Sequence, residues 1–432
     1  MYCAIDFGTS NSAVAVRQGA AGLRLVPLEG EHSTMPTAVF YNADSEDRDG
    51  KAREFGRAAI AAYIDGLEGR LLRSMKSVLG SSLVEQTTDI GGGRAVKYLD
   101  VISGYVAHLK ARAEAAAGVP LTQVVLGRPV FFVDDEPRRD AAAQAALEAA
   151  AHQAGFETVE FQYEPIAAAF DFERRVEREQ VVLVADIGGG TSDFSVVRVG
   201  PGRAAAADRR NDILASHGVH VAGTDFDRRL ELASILPAFG FGAYGPAPRG
   251  GEPRQVPGAV YHDLATWHLI NTVYQPQRVA ELRQMRRFYA DPRHHERLMR
   301  VVGQRLGHAL LGQAEAAKIE VAEGGHAELR LDQVEAGLRT ELTQASAATA
   351  LHDDVERIAG AARSTAALAG LAPSAIDALY LTGGSTGLRL LRQRFIGLFP
   401  AARLVHGDRF SSVATGLGLH ARRRFEGARH CD

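Results

Sequence analysis

Ala4-Ile-Asp-Phe-Gly-Thr-Ser-Asn-Ser-Ala-Val-Ala-Val16 and Val184-Ala-Asp-Ile-Gly-Gly-Gly-Thr-Ser-Asp-Phe-Ser-Val-Val197 follow one pattern. Each is an apolar strand ending in an aspartate, a glycine turn carrying Thr-Ser, and a second apolar strand. With two extra glycines in the second copy, Thr9 aligns with Thr191 and Asn11 with Asp193. Alternating apolar runs joined through glycine are the signature of a β-hairpin. Two such hairpins, far apart in the chain, predict two lobes built on a single plan.

The rest of the chain is compatible with that plan. At 432 residues it exceeds one ordinary core. Hydrophobic residues at 46% and charged residues at 23% describe a folded chain, which excludes disorder, collagen and coiled coil as the main architecture. A net charge of -3 supplies no global field for nucleic acid or acidic lipid. Cys3 and Cys431 cannot build a disulfide framework and suit a reducing compartment. Neither a signal peptide nor a run of roughly 20 apolar residues is evident, so a cytoplasmic location is expected. Only five of the 49 basic residues are lysine: Lys51, Lys76, Lys97, Lys110 and Lys318. A lysine retained in so arginine-rich a chain marks a place where a compact ammonium is needed.

Between the hairpins, His32 to Tyr41 reads as extended with a break at Pro36, and 42–53 as turn-rich. Arg57 to Leu79 is predicted helical, Gly91-Gly-Gly93 a loop, and Val101 to Ala117 an amphipathic helix. Val124 to Val133 reads as a buried strand interrupted at Pro129, followed by a helix over Arg138–Gln153 capped near Gly155. Strands alternating with helices predict an α/β architecture. Leu236 to Gly258 carries five prolines and reads as a surface loop or linker. Tyr261 to Val321 is largely helical with a break at Asp291-Pro292. His294 and His295 beside it lack ligand spacing for a metal and are expected to be solvated.

The turns suit a phosphate chain. Glycine permits close backbone approach, hydroxyls donate, and carboxylates hold Mg²⁺ through its waters. Three further segments fit. Tyr163-Glu-Pro-Ile-Ala-Ala-Ala-Phe170 and Val413-Ala-Thr-Gly-Leu-Gly-Leu-His-Ala421 are small-residue helices able to pack closely. Leu381-Thr-Gly-Gly-Ser-Thr-Gly-Leu388 is a strand and glycine turn able to receive a nucleoside.

Phe7-Gly-Thr-Ser-Asn-Ser12, Glu164-Pro-Ile-Ala-Ala-Ala169, Asp186-Ile-Gly-Gly-Gly-Thr-Ser-Asp193, Gly223-Thr-Asp-Phe-Asp227 and Gly383-Gly-Ser-Thr386 occur in this order. Together they resemble the nucleotide-binding domain of the seventy-kilodalton heat-shock (DnaK-type) chaperones, and are similar to its stand-alone YegD-type relatives. The resemblance implies an actin-like ATPase fold of duplicated ribonuclease-H-like lobes with ATP in the cleft. Lobe I would span 1–180, with a core of 1–38 and 100–180 and a small subdomain at 39–99. Lobe II would span 181–432, with a core of 181–224 and 332–412. Its small subdomain at 225–331 would carry an extra helical insertion, and a terminal helix at 413–432 would return toward lobe I.

Carried over residue by residue, the resemblance implies ATP or ADP with Mg²⁺ as cofactors, and K⁺ as a further cation. Asp6 and Asp186 would hold the metal through water. Gly8, Thr9, Ser10, Asn11, Gly188, Gly189, Gly190 and Thr191 would cradle phosphates. Asp193 and Glu164 would order metal and attacking water. Lys76, in Arg73-Ser-Met-Lys-Ser-Val-Leu-Gly80, would be the catalytic lysine. Pro129 would act as a relay partnered by Arg138 or Arg139. Glu315 and Lys318 would bind ribose, with Gly383, Gly384 and Ser385 also at the nucleoside. Two family arginines are absent, replaced by Ile319 and Gly387, which weakens base clamping. The sequence ends at Asp432 with no peptide-binding domain in view, so the expected function is a weak ATPase acting as a chaperone-like switch. Its protein partner would bind through 236–300, with no nucleic acid and no membrane involved. An actin-like filament ATPase and a sugar or acetate kinase are the alternatives on the same fold.

Overall fold

The computed structural model describes residues 1–19, 22–43, 53–133, 136–174, 176–203, 206, 209–247, 251–407 and 412–427. The chain is mixed α/β and divides into two compact units. One comprises 1–218, 361–384 and 399–432; the other comprises 219–360 and 385–398.

The first unit holds two sheets of similar plan. In one, Tyr2–Phe7 and Asn11–Gln18 form an antiparallel hairpin with Asp6 opposite Ala13. Tyr2–Phe7 then pairs in parallel with Gln123–Arg128, and that strand with Thr158–Tyr163. In the other, Gln180–Ile187 and Ser192–Val199 form the hairpin, with Asp186 opposite Asp193. Gln180–Ile187 pairs in parallel with Ala378–Thr382, and that strand with Arg403–His406. Central parallel strands are covered on both faces and therefore read as nearly continuous apolar runs. Tyr2–Phe7 is buried at every position except Asp6, which is partly exposed.

The two-residue period of a strand decides where the aspartates go. Cys3, Ile5 and Phe7 enter a core shared with the helices Tyr98–Ala117 and Pro137–Gln153. Tyr2 and Ala4 face the opposite core, together with Val182 and Val184 of the second hairpin. Asp6 and Asp186 continue this second set to its polar end. The same core contains the helices Glu164–Glu173 and Ser412–Gly427, and glycine sets their separation. A Cβ built on Gly416 would lie 1.9 Å from the Ala167 carbonyl oxygen, so no larger residue fits there.

Several sequence expectations are corrected. Arg57–Leu79 is not one helix. Gly56–Ile64 is helical, Gly66 turns the chain at φ +74, and Gly69–Arg73 joins Ala38–Asn42 as a strand. Gly91-Gly-Gly93 forms the tight end of the Thr87–Gly91/Arg94–Lys97 hairpin, with all three glycines at positive φ. The interruption at Pro129 is as expected, since proline offers no ladder donor, but the strand Gln123–Arg128 does not resume over 129–133. The break in His32–Tyr41 comes at Thr37, between Thr34–Pro36 and Ala38–Asn42. Leu236–Gly258 is not a free linker: Leu236, Phe239 and Val256 are buried, and Tyr244 bridges Gln255. His295 is buried rather than solvated, with Nε2 2.9 Å from the Leu282 carbonyl. Of the other readings, Lys51, Cys431 and most of 42–53 lie outside the described residues.

In the second unit, Gly223–Ser234 packs along Gly307–Glu320. Asp225 caps its own helix by accepting a 3.0 Å bond from Ala222 N. The insertion helices are anchored through Tyr261, whose hydroxyl donates to Phe239 O at 2.7 Å and meets Tyr289 Oη at 2.8 Å. Glu231 is fully buried, and both its carboxyl oxygens lack a hydrogen-bond partner among the described residues. Burial, reinforced by nearby Asp227, drives its carboxyl well above the usual range, so it folds as the neutral acid. Glu231→Leu is therefore expected to raise stability at pH 7 by roughly 1–3 kcal/mol, read as a higher urea midpoint. A group whose folded proton affinity is raised loses its contribution as pH rises above the unfolded value. The wild type should therefore weaken from about pH 4.3 upward relative to the variant. An unchanged midpoint across that window would show that the carboxyl is solvated. Among the described residues no helix is long and apolar enough to cross a membrane.

Candidate active site

The first hairpin turn closes tightly. A Cβ on Gly8 would stand 2.1 Å from Asn11 O, so only glycine permits this approach. Thr37 braces the turn from outside: its Oγ1 donates to Gly8 O at 2.7 Å and its N–H to Ser10 O at 2.9 Å. Thr37 carries no motif, and the sequence shows it only as part of an extended run.

In the second turn Gly188 N donates to Thr191 O at 3.0 Å, and Thr191 Oγ1 donates to Asp193 Oδ2 at 2.8 Å. The two turns adjoin: a Cβ on Gly189 would lie 2.7 Å from Ser10 Oγ. A third turn joins them. Gly383, at φ +87, leaves room for a Cβ only 2.6 Å from Asp186 Oδ1. Gly8 to Asn11, Gly188 to Thr191, Gly383 and the two aspartates thus occupy one region of the first unit.

Lys76 reaches this region from the short 3₁₀ turn Met75–Val78. Met75 is buried and anchors the turn, while Ser74 before it holds the left-handed conformation at φ +54, rare for a residue with a side chain. Lys76 Nζ donates to Glu164 Oε1 at 2.5 Å, with both side chains largely enclosed at 10% and 17% exposure. Glu164 opens the helix Glu164–Glu173, where the helix dipole favours a carboxylate.

The charges are unevenly matched. Asp6, Glu164, Asp186 and Asp193 surround one lysine. Burial pushes Asp6 up, and the negative fields of Glu164 and Asp186 add to this while Lys76 opposes it. Asp186 is raised to about 7 by burial and then by Asp193 and Glu164, again against Lys76. For Lys76 burial acts downward, but Glu164, Asp6 and Asp193 more than reverse it and keep the ammonium charged. An enclosed surplus of carboxylate is a setting that a hard divalent cation would relieve. The donor set is entirely oxygen, which suits Mg²⁺ rather than a softer metal. Among the described residues no group of three or more His, Cys, Asp or Glu is arranged to hold a metal ion directly.

Glu315, Lys318 and Ser385 belong to the second unit. There Lys318 does not pair with Glu315. Its Nζ sits 2.7 Å from Asp227 Oδ1, and Glu315 is exposed. Ile319 is 66% exposed, and Gly387 is buried in its turn, where its carbonyl accepts from Arg392 at 3.1 Å. The expected arginine beside Pro129 is also corrected: the Pro129 carbonyl accepts from Arg128 Nε at 3.0 Å. Arg139 instead donates to Gly80 O at 2.9 Å.

A family model described as Hsp70 protein matches residues 2–233, more than half of the chain.

Proposed function

The chain belongs to the Hsp70 family, and from that premise we propose that it is an ATP-binding switch that hydrolyses its nucleotide slowly. The observation that carries this reading is the Lys76–Glu164 pair set among Asp6, Asp186 and Asp193, where the two glycine turns adjoin.

In this reading the hydroxyls of Thr9, Ser10 and Thr191 and the backbone of Gly8, Asn11 and Gly188–Gly190 bind the phosphates. Gly383 and Gly384 of the first unit take the nucleoside in this reading. Lys76 offsets charge on the departing γ-phosphoryl group and, with Glu164 and Asp193, orients a water. The water oxygen forms a new bond to the γ-phosphorus as the bond to the bridging oxygen of ADP breaks. Mg²⁺, when bound, would be held through water by Asp6 and Asp186 and would supply neutralising charge to the phosphates. Hydrolysis alters only the γ-phosphate contacts, and that difference biases the switch. A protein partner docks on 236–300 in the same reading; deletion of 243–258 with no change in captured partners would remove that surface from it.

Calorimetric titration with ATP–Mg²⁺ tests the proposal. Saturable binding below millimolar nucleotide is the expected result, and no binding heat at millimolar ATP would overturn it.

A further inference from the structure

Arg128 is the last residue of the strand Gln123–Arg128 and touches neither Lys76 nor Glu164 in any recorded bond, yet it connects the segments that carry them. Its side chain is 11% exposed. Nε donates to Pro129 O at 3.0 Å, and Nη2 donates to Val130 O at 3.1 Å and Asp140 Oδ2 at 2.9 Å. Nη1 bonds Gln144 Oε1. The other Asp140 oxygen accepts from Phe132 N at 2.6 Å. One guanidinium and one carboxylate thus hold the Pro129–Phe132 turn against the helix Pro137–Gln153.

The same guanidinium lies near two rings, with Cζ 5.3 Å from the Phe132 centroid and 5.2 Å from the Tyr163 centroid. Tyr163 caps the helix whose first residue is Glu164. On the far side of the turn, Val133 presses on Gly80, where a Cβ would come within 2.1 Å of Val133 Cγ2. Gly80 ends the segment that carries Lys76. A continuous path runs from Lys76 through Gly80, the Pro129–Val133 turn, Arg128 and Tyr163 to Glu164.

We propose that Arg128 is a positioning residue that holds the Lys76 segment and the start of the Glu164 helix in mutual register. The proposal rests on the hydrolytic reading above. Arginine suits the place because its planar fork serves several acceptors while its cation lies over two aromatic rings. A lysine keeps the charge toward Asp140 but cannot do both.

The test compares wild type, Arg128→Lys, Tyr163→Leu and Tyr163→Phe by nucleotide titration, single-turnover ATP hydrolysis, and amide hydrogen exchange of the nucleotide-free protein. Arg128→Lys is expected to slow turnover by tenfold or more while nucleotide affinity stays within threefold. Exchange should rise in 129–133 and 163–168 and nowhere else. Tyr163→Leu, which leaves the Asp140 pair intact, should reproduce the effect more weakly, and Tyr163→Phe should restore turnover. Wild-type turnover in Arg128→Lys would overturn the proposal. So would a parallel loss of affinity and turnover with exchange rising throughout, which marks a purely structural role. If the wild type itself hydrolyses no ATP, the hydrolytic reading fails, and the proposal falls with it whatever local exchange shows about the linkage.

Discussion

Lys76→Ala is expected to leave ATP bound while slowing its hydrolysis by roughly 10²–10³-fold, the scale seen when a preorganised charge is removed from a transition state. The ammonium lowers the proton affinity of Asp6 and Asp186 against their carboxylate neighbours, and its 2.5 Å bond to Glu164 holds it in place. Binding should survive because the glycine turns and their hydroxyls do not depend on it for their geometry: Thr37 braces the first turn and Asp193 the second. Hydrolysis should not, because the transferring phosphoryl group would lose the ammonium that offsets its charge and positions the water. Lys76→Arg should rescue little, since a planar fork replaces a compact point charge in an enclosed site. Paired titration and single-turnover measurements decide the matter. Turnover within a factor of three of wild type would remove Lys76 from the reaction, and equal losses in binding and turnover would assign it to ground-state binding instead.

Arg209→Met is expected to cost about 3–5 kcal/mol of stability at pH 7, the range found when one partner of a buried ion pair is removed. Arg209 and Glu173 are each 1% exposed, joined by two bonds of 2.8 and 3.0 Å. Arg209 also bonds Asp212 and lies over the Phe170 ring at 5.8 Å. Asp212 keeps Arg203 as a partner in the variant, whereas Glu173 loses both guanidinium bonds and keeps the 3.1 Å bond from Gly200 N and the more distant field of Arg423. The deficit reflects a buried carboxylate left without its guanidinium partner. Arg209→Met combined with Glu173→Gln should recover most of the loss, because a neutral amide carries a smaller desolvation penalty. Urea midpoints of both variants at pH 7 provide the measurement. A single variant as stable as wild type at pH 7 would mean that water reaches Glu173.

The hairpins were legible because their information is local. An apolar strand, an aspartate, glycine and Thr-Ser specify a turn within a dozen residues, and the strand period then assigns Asp6 and Asp186 to a face. The helices Glu164–Glu173 and Ser412–Gly427 were legible for the same reason, through runs of small residues. Ser74 was not: its left-handed turn lies inside a stretch with helical periodicity, and pairing of Gly69–Arg73 with Ala38–Asn42 overrode the local preference. Lys318 was read with its i−3 neighbour Glu315, but a facing helix brings Asp227 closer. Neither Arg128 nor Glu231 is singled out by the sequence. Nothing in their immediate neighbours announces the rings near one or the burial of the other.

Residue type and spacing along the chain were enough to determine the two glycine turns and which segments would form the strands beneath them. Proton affinities, the partner of each lysine and the bracing of each turn were decided only when distant segments packed together. Charge interactions depend on separation through space and on exclusion of water, and neither quantity is written in the order of the residues.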